Sequence, residues 1–97
     1  MQPSLRVRAI EDALVEGLEA DHVEVVDNSA GHMNHVGAEG GGGHFAVVVV
    51  SPAFRGLSRI AAQKLVYETL AELMAEDIHA LSMRTFTPER WSSDGRA

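Results

Sequence analysis

The 97-residue sequence contains no cysteine. Without thiols the chain cannot build a disulfide framework or a cysteine-ligated zinc site. Any metal must therefore be held by histidine, by carboxylates or by the thiols of another molecule. The absence of cysteine also fits a reducing compartment.

Long hydrophobic runs and excess positive charge are absent as well. The longest apolar run, FAVVVV, is far shorter than the roughly 18 residues that span a bilayer, and the first residues, MQPSLRVR, lack the apolar core of a signal peptide. Fourteen acidic residues against eight basic ones give a net charge of -6, which opposes general binding to nucleic acid or anionic membranes. We therefore expect a cytoplasmic protein with no membrane contact.

The overall amino-acid composition is that of a folded domain. Hydrophobic residues make up 45% of the chain and charged residues 23%, which is ordinary globular usage. Because 97 residues is the length of one domain, we predict a single domain over residues 1–97.

The apolar periodicity predicts the order helix, strand, strand, helix, strand. Helical spacing covers residues 4–20 and 58–76, and the strands are HVEVVDN, HFAVVVVS and IHALSMRTF. In the third strand, alternation places His79 on the same face as Leu81 and Met83. A strand, helix, strand unit favours a parallel pair, and two adjacent strands favour an antiparallel one. The predicted class is α+β, a three-stranded mixed sheet with helices on one face and a possible short helical turn before the second long helix.

The connection between the first two strands, Ser29 to Gly43, is 15 residues long, where about two to five close an ordinary hairpin. It carries His32 and His35 and ends in the run Gly40–Gly43, a flexible tether without a nucleotide-binding pattern. The two histidines are either solvated loop residues or half of a metal site that needs a rigid partner.

The candidate rigid partner is His79, whose structural alternative is a hydrogen-bonded histidine at the rim of the core. His44, which begins the second strand, is expected to hydrogen-bond at the root of the loop. A free-standing metal site formed by His32, His35 and His44 is a further reading. No Ser/His/Asp or Cys/His set stands at an informative spacing, so no enzyme is predicted.

Three cations, Arg55, Arg59 and Lys64, surround the turn into the second long helix. They are either solvated surface residues or a patch that contacts a nucleic-acid backbone. The second reading is the basis of an alternative function in nucleic-acid binding.

Together these segments resemble the BolA family. The resemblance covers almost the whole chain, and the order and spacing of its pieces carry it: VEVVDNS before a loop with a histidine, HFAVVVVSPAFRGLS, LVYETLAELM and IHALSMRTFTPERW. It implies a fold related to the class II KH domain. We expect the chain alone to be a monomer or a weak homodimer.

The resemblance also implies a chemistry. BolA-like proteins of the His type pair with monothiol glutaredoxins of the Cys-Gly-Phe-Ser kind and share a glutathione-supported 2Fe-2S cluster through two histidines. The matching positions are His32, in SAGH, and His79, in IHAL, with His35 as a nearby substitute. Imidazole can replace thiolate on one iron of such a cluster. The resemblance therefore implies a non-enzymatic cluster adaptor for cluster trafficking or iron-status regulation. The alternative that it implies is a DNA-binding transcriptional regulator that uses the KH-like fold.

Overall fold

The computed structural model describes residues 3–28 and 43–93 of the chain. Within these ranges, no helix is long and apolar enough to cross a membrane. In chain order the elements are α1 (Pro3–Leu18), β1 (His22–Asp27), β2 (Gly43–Val50), a 3₁₀ turn (Pro52–Phe54), α2 (Arg59–Thr69), α3 (Ala71–Glu76), β3 (Ile78–Phe86) and α4 (Pro88–Ser93).

Helix α1 presents one apolar stripe to the sheet. Ile10, Leu14 and Leu18 recur every four residues and all three are buried, as the helical spacing predicted. The helix ends at Leu18 because Glu19 adopts a left-handed backbone conformation, with φ at 51°, which cannot continue a right-handed helix. It therefore stops two residues before the predicted end.

Strand β2 is the centre of a three-stranded sheet in the order β1-β2-β3. β1 pairs with it antiparallel and β3 pairs with it parallel, because a chain that crosses over through helices returns in the same direction. Phe45, Val47 and Val49 are buried, while the residues between them are half-buried. The predicted mixed sheet is confirmed.

The crossover from β2 to β3 contains two helices, so the prediction of one helix over residues 58–76 is wrong. Ser58 caps α2 by accepting a hydrogen bond from the Ala61 N–H at 3.0 Å. The helical run then breaks at Leu70, where φ is -99° and ψ is 14°. Leu70 is buried, and the turn there lets Leu73 and Met74 of α3 pack against the same core. The apolar spacing continues across Leu70, so periodicity did not predict this break.

The core lies between the sheet and the two longest helices. The α2 residues that the helical spacing placed on the inner face, Ala62 and Val66, are buried there. The full buried cluster is Ile10, Leu14, Leu18, Phe45, Val47, Val49, Phe54, Ala62, Val66, Leu70 and Ile78.

Helix α4 covers one end of the sheet's other face. Thr87 caps its first turn by accepting a hydrogen bond from the Arg90 N–H at 3.2 Å. Trp91 meets Phe86 edge-on, with ring centroids 5.1 Å apart, and stacks on His22 at the same centroid distance. Beyond this end, the face away from α1 and α2 carries the exposed positions of β1 and β3.

Candidate functional site: two histidines where β2 and β3 begin

A register shift marks the start of the β2–β3 pairing. Gly43 stands opposite Ile78, but His44, the next residue, stands opposite Ala80. One extra residue, His79, is therefore inserted in β3 at this point. Such an insertion bends a strand and redirects a side chain, and insertions of this kind are frequent beside functional sites.

The shift reverses the predicted orientation of His79. Regular alternation would place His79 with Leu81 and Met83, but Leu81 and Met83 pack against the core while His79 is exposed. Ile78 is buried, and both His79 and Ala80 point away from the core. The prediction of a shared face was wrong because the extra residue interrupts the two-residue period.

The same shift brings two imidazoles together. The rings of His44 and His79 lie with their centroids 5.2 Å apart and their planes tilted by 44°. His44 is half-buried and His79 is exposed, so both residues are at least partly accessible to solvent. Over residues 3–28 and 43–93, no group of three His, Cys, Asp or Glu side chains could hold a metal ion.

Backbone hydrogen bonds and a salt bridge stabilise the segments around this histidine pair. The Asn28 N–H donates to the His44 carbonyl at 2.7 Å, and the Gly43 N–H donates to the Asp77 carbonyl at 3.0 Å. The Asp77 carboxylate meets the Arg6 guanidinium at 3.6 Å, with both side chains largely shielded from solvent. The backbone carbonyl of His44 is therefore hydrogen-bonded at the root of the loop, while the hydrogen bond expected of its side chain stays a prediction.

His32 and His35 lie outside the described residues, so the predicted loop ligands and the free-standing site with His44 remain predictions. Covalent geometry sets their reach. His32 is four residues beyond Asn28, a contour of at most about 14 Å, and His35 is seven beyond it, about 25 Å. Because Asn28 is hydrogen-bonded to His44, both contours start beside the histidine pair.

The contact between His44 and His79 was not predicted, although the sequence holds a signal for it. Parallel strands that begin with His-Phe and Ile-His place both histidines at the same end of the sheet. The periodicity argument did not bring them together because it could not contain the register shift.

The predicted cation patch is divided in the structure. Arg55 donates from Nε to Oε1 of Glu89 at 3.1 Å and from Nη2 to Oε2 of the same carboxylate. Through this hydrogen bond the pKa of Glu89 lies below its usual range and the pKa of Arg55 lies above it. Arg55 is therefore paired with a carboxylate. Arg59 and Lys64, by contrast, are exposed on α2.

The sequence from residue 14 to residue 90 matches the family model of BolA, described as BolA-like protein. The chain belongs to the BolA family. The acid stress protein IbaG of Escherichia coli K12 is 36% identical over 78 residues, which are 79% of this chain and 93% of IbaG. BolA-like protein 1 of Mus musculus is 37% identical over 83 residues, which are 86% of this chain but 58% of the mouse protein.

A further relative of this BolA-family chain is the DNA-binding transcriptional regulator BolA of Vibrio cholerae, 38% identical over 82 residues, with 84% of this chain and 74% of the regulator covered. These names describe regulators and stress proteins, and none describes an enzyme.

Solved structures share the fold. A Bol-like protein from Babesia bovis superposes with a TM-score of 0.76 at 29% identity, covering 99% of this chain and 95% of that one. The BolA domain of SufE1 from Arabidopsis thaliana gives a TM-score of 0.73 at 33% identity, covering 87% and 93%. The predicted α+β fold and the family resemblance are therefore confirmed.

Proposed function

We propose that this BolA-family protein is a non-enzymatic adaptor that binds a monothiol glutaredoxin and shares a glutathione-supported 2Fe-2S cluster with it through histidine. The observation that supports the proposal is the ring contact between His44 and His79 at the register shift. A cytoplasmic setting, in which glutathione is abundant, would suit this role.

The donor chemistry of the site fits such a cluster. Neutral imidazole is a ligand for iron and can replace thiolate on one iron of a 2Fe-2S centre. Because the chain has no cysteine, the thiolates for the other iron must come from a partner molecule. When bound, the cluster supplies iron and sulfide that can pass to a client.

The residues of this chain have distinct roles in the proposal. His79 offers a nitrogen from a strand whose first residue, Ile78, is anchored in the core. His44 lies against its ring, and we assign to it the role of a neighbour that orients the ligand. The second ligand is His32, as the family resemblance implies, with His35 as the substitute.

Reconstitution with a monothiol glutaredoxin and glutathione, followed by visible circular dichroism, tests the assignment. We expect His79→Ala and His32→Ala to change the spectrum of the mixed complex, because each removes a ligand. His44→Ala should have a smaller effect because it removes only a neighbour of the ligand. His35→Ala in the same assay decides between the two loop histidines.

His22→Ala is the matched control, since His22 is an exposed histidine that packs on Trp91 instead of on the pair. It should leave the spectrum of the mixed complex as it is in the native protein. A spectrum that is unchanged after His79→Ala would show that the cluster assignment is wrong.

A second candidate is a DNA-binding regulator that uses Arg55, Arg59 and Lys64. It is favoured by the name of the Vibrio cholerae relative, a DNA-binding transcriptional regulator. The Arg55–Glu89 pair weakens it, because a guanidinium already bound to a carboxylate must break that contact before it neutralises a phosphate.

A further inference from the structure

Helix α4 covers one end of the sheet face that lies opposite α1 and α2. By strand alternation Val50 points to this face, between His22 and Phe86, its neighbours on the two outer strands. The rings of His22 and Phe86 both contact Trp91 of α4, and Val50 is 1% exposed. An apolar side chain on this face is therefore buried where α4 covers it.

The middle of the same face is apolar and accessible. We name it the open sheet face and define it by six outward side chains, two from each strand: Glu24, Val26, Ala46, Val48, Ser82 and Arg84. Val26 is 54% exposed, and Ala46 and Val48 are half-buried beside a shallow groove of about 170 Å³. The apolar centre of this face is thus accessible to a second molecule, whereas Val50 is not.

Charges of opposite sign border the apolar centre on its two sides. The register sets Glu24 of β1 and Arg84 of β3 on either side of Val48. The Glu24 carboxylate lies 2.8 Å from Nε2 of His22, and the Arg84 guanidinium lies 5.2 Å from the centroid of the Phe86 ring. Both side chains therefore point toward the α4 end and leave the apolar centre between them uncovered.

The histidine pair lies at the other end of the open sheet face. Because His44 precedes the buried Phe45, its side chain points to the same face as Ala46 and Val48. Val48 is four residues farther along β2, about 13 Å in an extended strand. Since α1 and α2 pack on the opposite face, a protein that reaches His44 and His79 must approach from the open side.

The usual size of a protein interface brings this approach onto the apolar centre. A standard interface buries about 800 Å² on each partner, which is a disc about 16 Å in radius. A protein partner centred on the histidine pair therefore reaches as far as Val48. Residues at the centre of such an interface are typically apolar, with charged residues at the rim.

We propose that the open sheet face is the docking surface for the thiol-bearing protein that shares the cluster, with Val26, Ala46 and Val48 at its centre. This inference rests on the proposed function, because it takes the partner to be the glutaredoxin that supplies thiolate ligands. The partner's surface has an apolar centre, a cation that faces Glu24 and a carboxylate that faces Arg84. The apolar centre provides affinity, and the two bordering charges set the orientation of the partner.

Titration of the ¹⁵N-labelled full chain with an unlabelled monothiol glutaredoxin, without iron or sulfide, tests this surface by two-dimensional NMR. Amides of residues 24–26, 46–48 and 80–84 should show saturable shifts, because they belong to the open sheet face or border it. Amides of residues 59–67 in α2, on the other side of the sheet, should not shift.

Two variants and one control make the test specific. Val26→Asp and Arg84→Glu should each weaken glutaredoxin binding about tenfold, because the first places a charge in the apolar centre and the second sets like charges opposite each other. Ile60→Asp is the matched control, since Ile60 is a 70% exposed apolar residue on α2, and it should leave the affinity unchanged. The amide signals away from the open sheet face report whether each variant keeps its fold.

Three results would overturn the proposal. The first is an absence of saturable binding at millimolar glutaredoxin. The second is an affinity in Val26→Asp and Arg84→Glu equal to that of Ile60→Asp. The third is a set of shifts confined to α2, together with weaker binding by Ile60→Asp, which would assign docking to the opposite side of the molecule.

The visible circular dichroism of the reconstituted complex separates this proposal from the cluster assignment. Val26→Asp at saturating glutaredoxin should keep the native spectrum, because it leaves every histidine in place. If glutaredoxin shifts the open sheet face but His79→Ala keeps the native spectrum, the docking surface stands and the cluster assignment is wrong. If His79→Ala changes the spectrum but Val26→Asp binds as tightly as Ile60→Asp, the cluster assignment stands and the docking surface is wrong.

Discussion

Ser51 shows how much one residue can hold in place in this fold. It is the polar side chain that is fully buried among the described residues, with no exposed area. Its hydroxyl donates to the carbonyl of Leu18, the last residue of α1, and accepts from the Ala53 N–H at 3.0 Å in the turn after β2. One oxygen atom therefore joins the end of the first helix to the exit of the central strand.

Ser51→Ala should lower the free energy of unfolding by about 1–3 kcal/mol, because it leaves a buried carbonyl and a backbone N–H without this partner. Urea denaturation measured by circular dichroism gives the change. Ser82→Ala is the control: Ser82 is exposed on β3, so its change should stay within about 0.5 kcal/mol. Equal stability of the two variants would mean that the buried hydroxyl contributes nothing net.

At the scale of elements, the approach of α1 to α2 depends on one glycine. A Cβ atom built on Gly17 would lie 2.6 Å from the Cγ2 atom of Thr69, closer than real Cβ contacts allow. The other side-chain atoms of Thr69 would be 3.8 Å or more away. The Thr69 hydroxyl donates to the Leu65 carbonyl at 2.8 Å, which holds the side chain in this orientation.

Gly17→Ala should therefore destabilise the protein by about 1–3 kcal/mol, although alanine alone favours a helix over glycine by about 1 kcal/mol. In the background of Thr69→Ser, which removes only the methyl group, the same change should be neutral or stabilising. Urea denaturation of the four proteins of this cycle gives the coupling energy between the two sites. A stabilising Gly17→Ala in the native background would contradict the close approach.

The elements also show where periodicity succeeds and where it fails. The three strands and the stripe of α1 were predicted nearly to the residue, because alternation and four-residue spacing are local properties of a chain that buries one face. The helix break at Leu70 was missed, because the apolar spacing of the helix continues across it.

At the scale of the whole molecule, the net charge of -6 separates the two candidate functions. A negatively charged protein repels the phosphates of DNA. If the protein acts only as the cluster adaptor, we therefore expect it not to bind a DNA duplex at about 50 mM salt. The DNA-binding candidate predicts that the duplex binds. The logarithm of the binding constant should then fall with the logarithm of the salt concentration with a slope of about -2.7, the value for three phosphate contacts. Fluorescence anisotropy of a labelled duplex across a salt series distinguishes the two.

If the duplex is retained, variants of the cations identify the surface. Lys64→Gln and Arg59→Gln should each reduce the magnitude of the slope by about 1. Arg55→Gln should change it less, because Glu89 already neutralises Arg55. A slope that none of the three variants changes would place any DNA contact elsewhere on the protein.

The sequence by itself determined the order of the strands and long helices and the mixed sheet, because local apolar periods and the end-to-end order of motifs contain that information. Tertiary structure alone decided two further features: the register shift that turns His79 outward and the contact of His44 with it. Each depends on how distant segments align across the sheet, and a one-residue change in register alters which side chains meet without changing any local pattern.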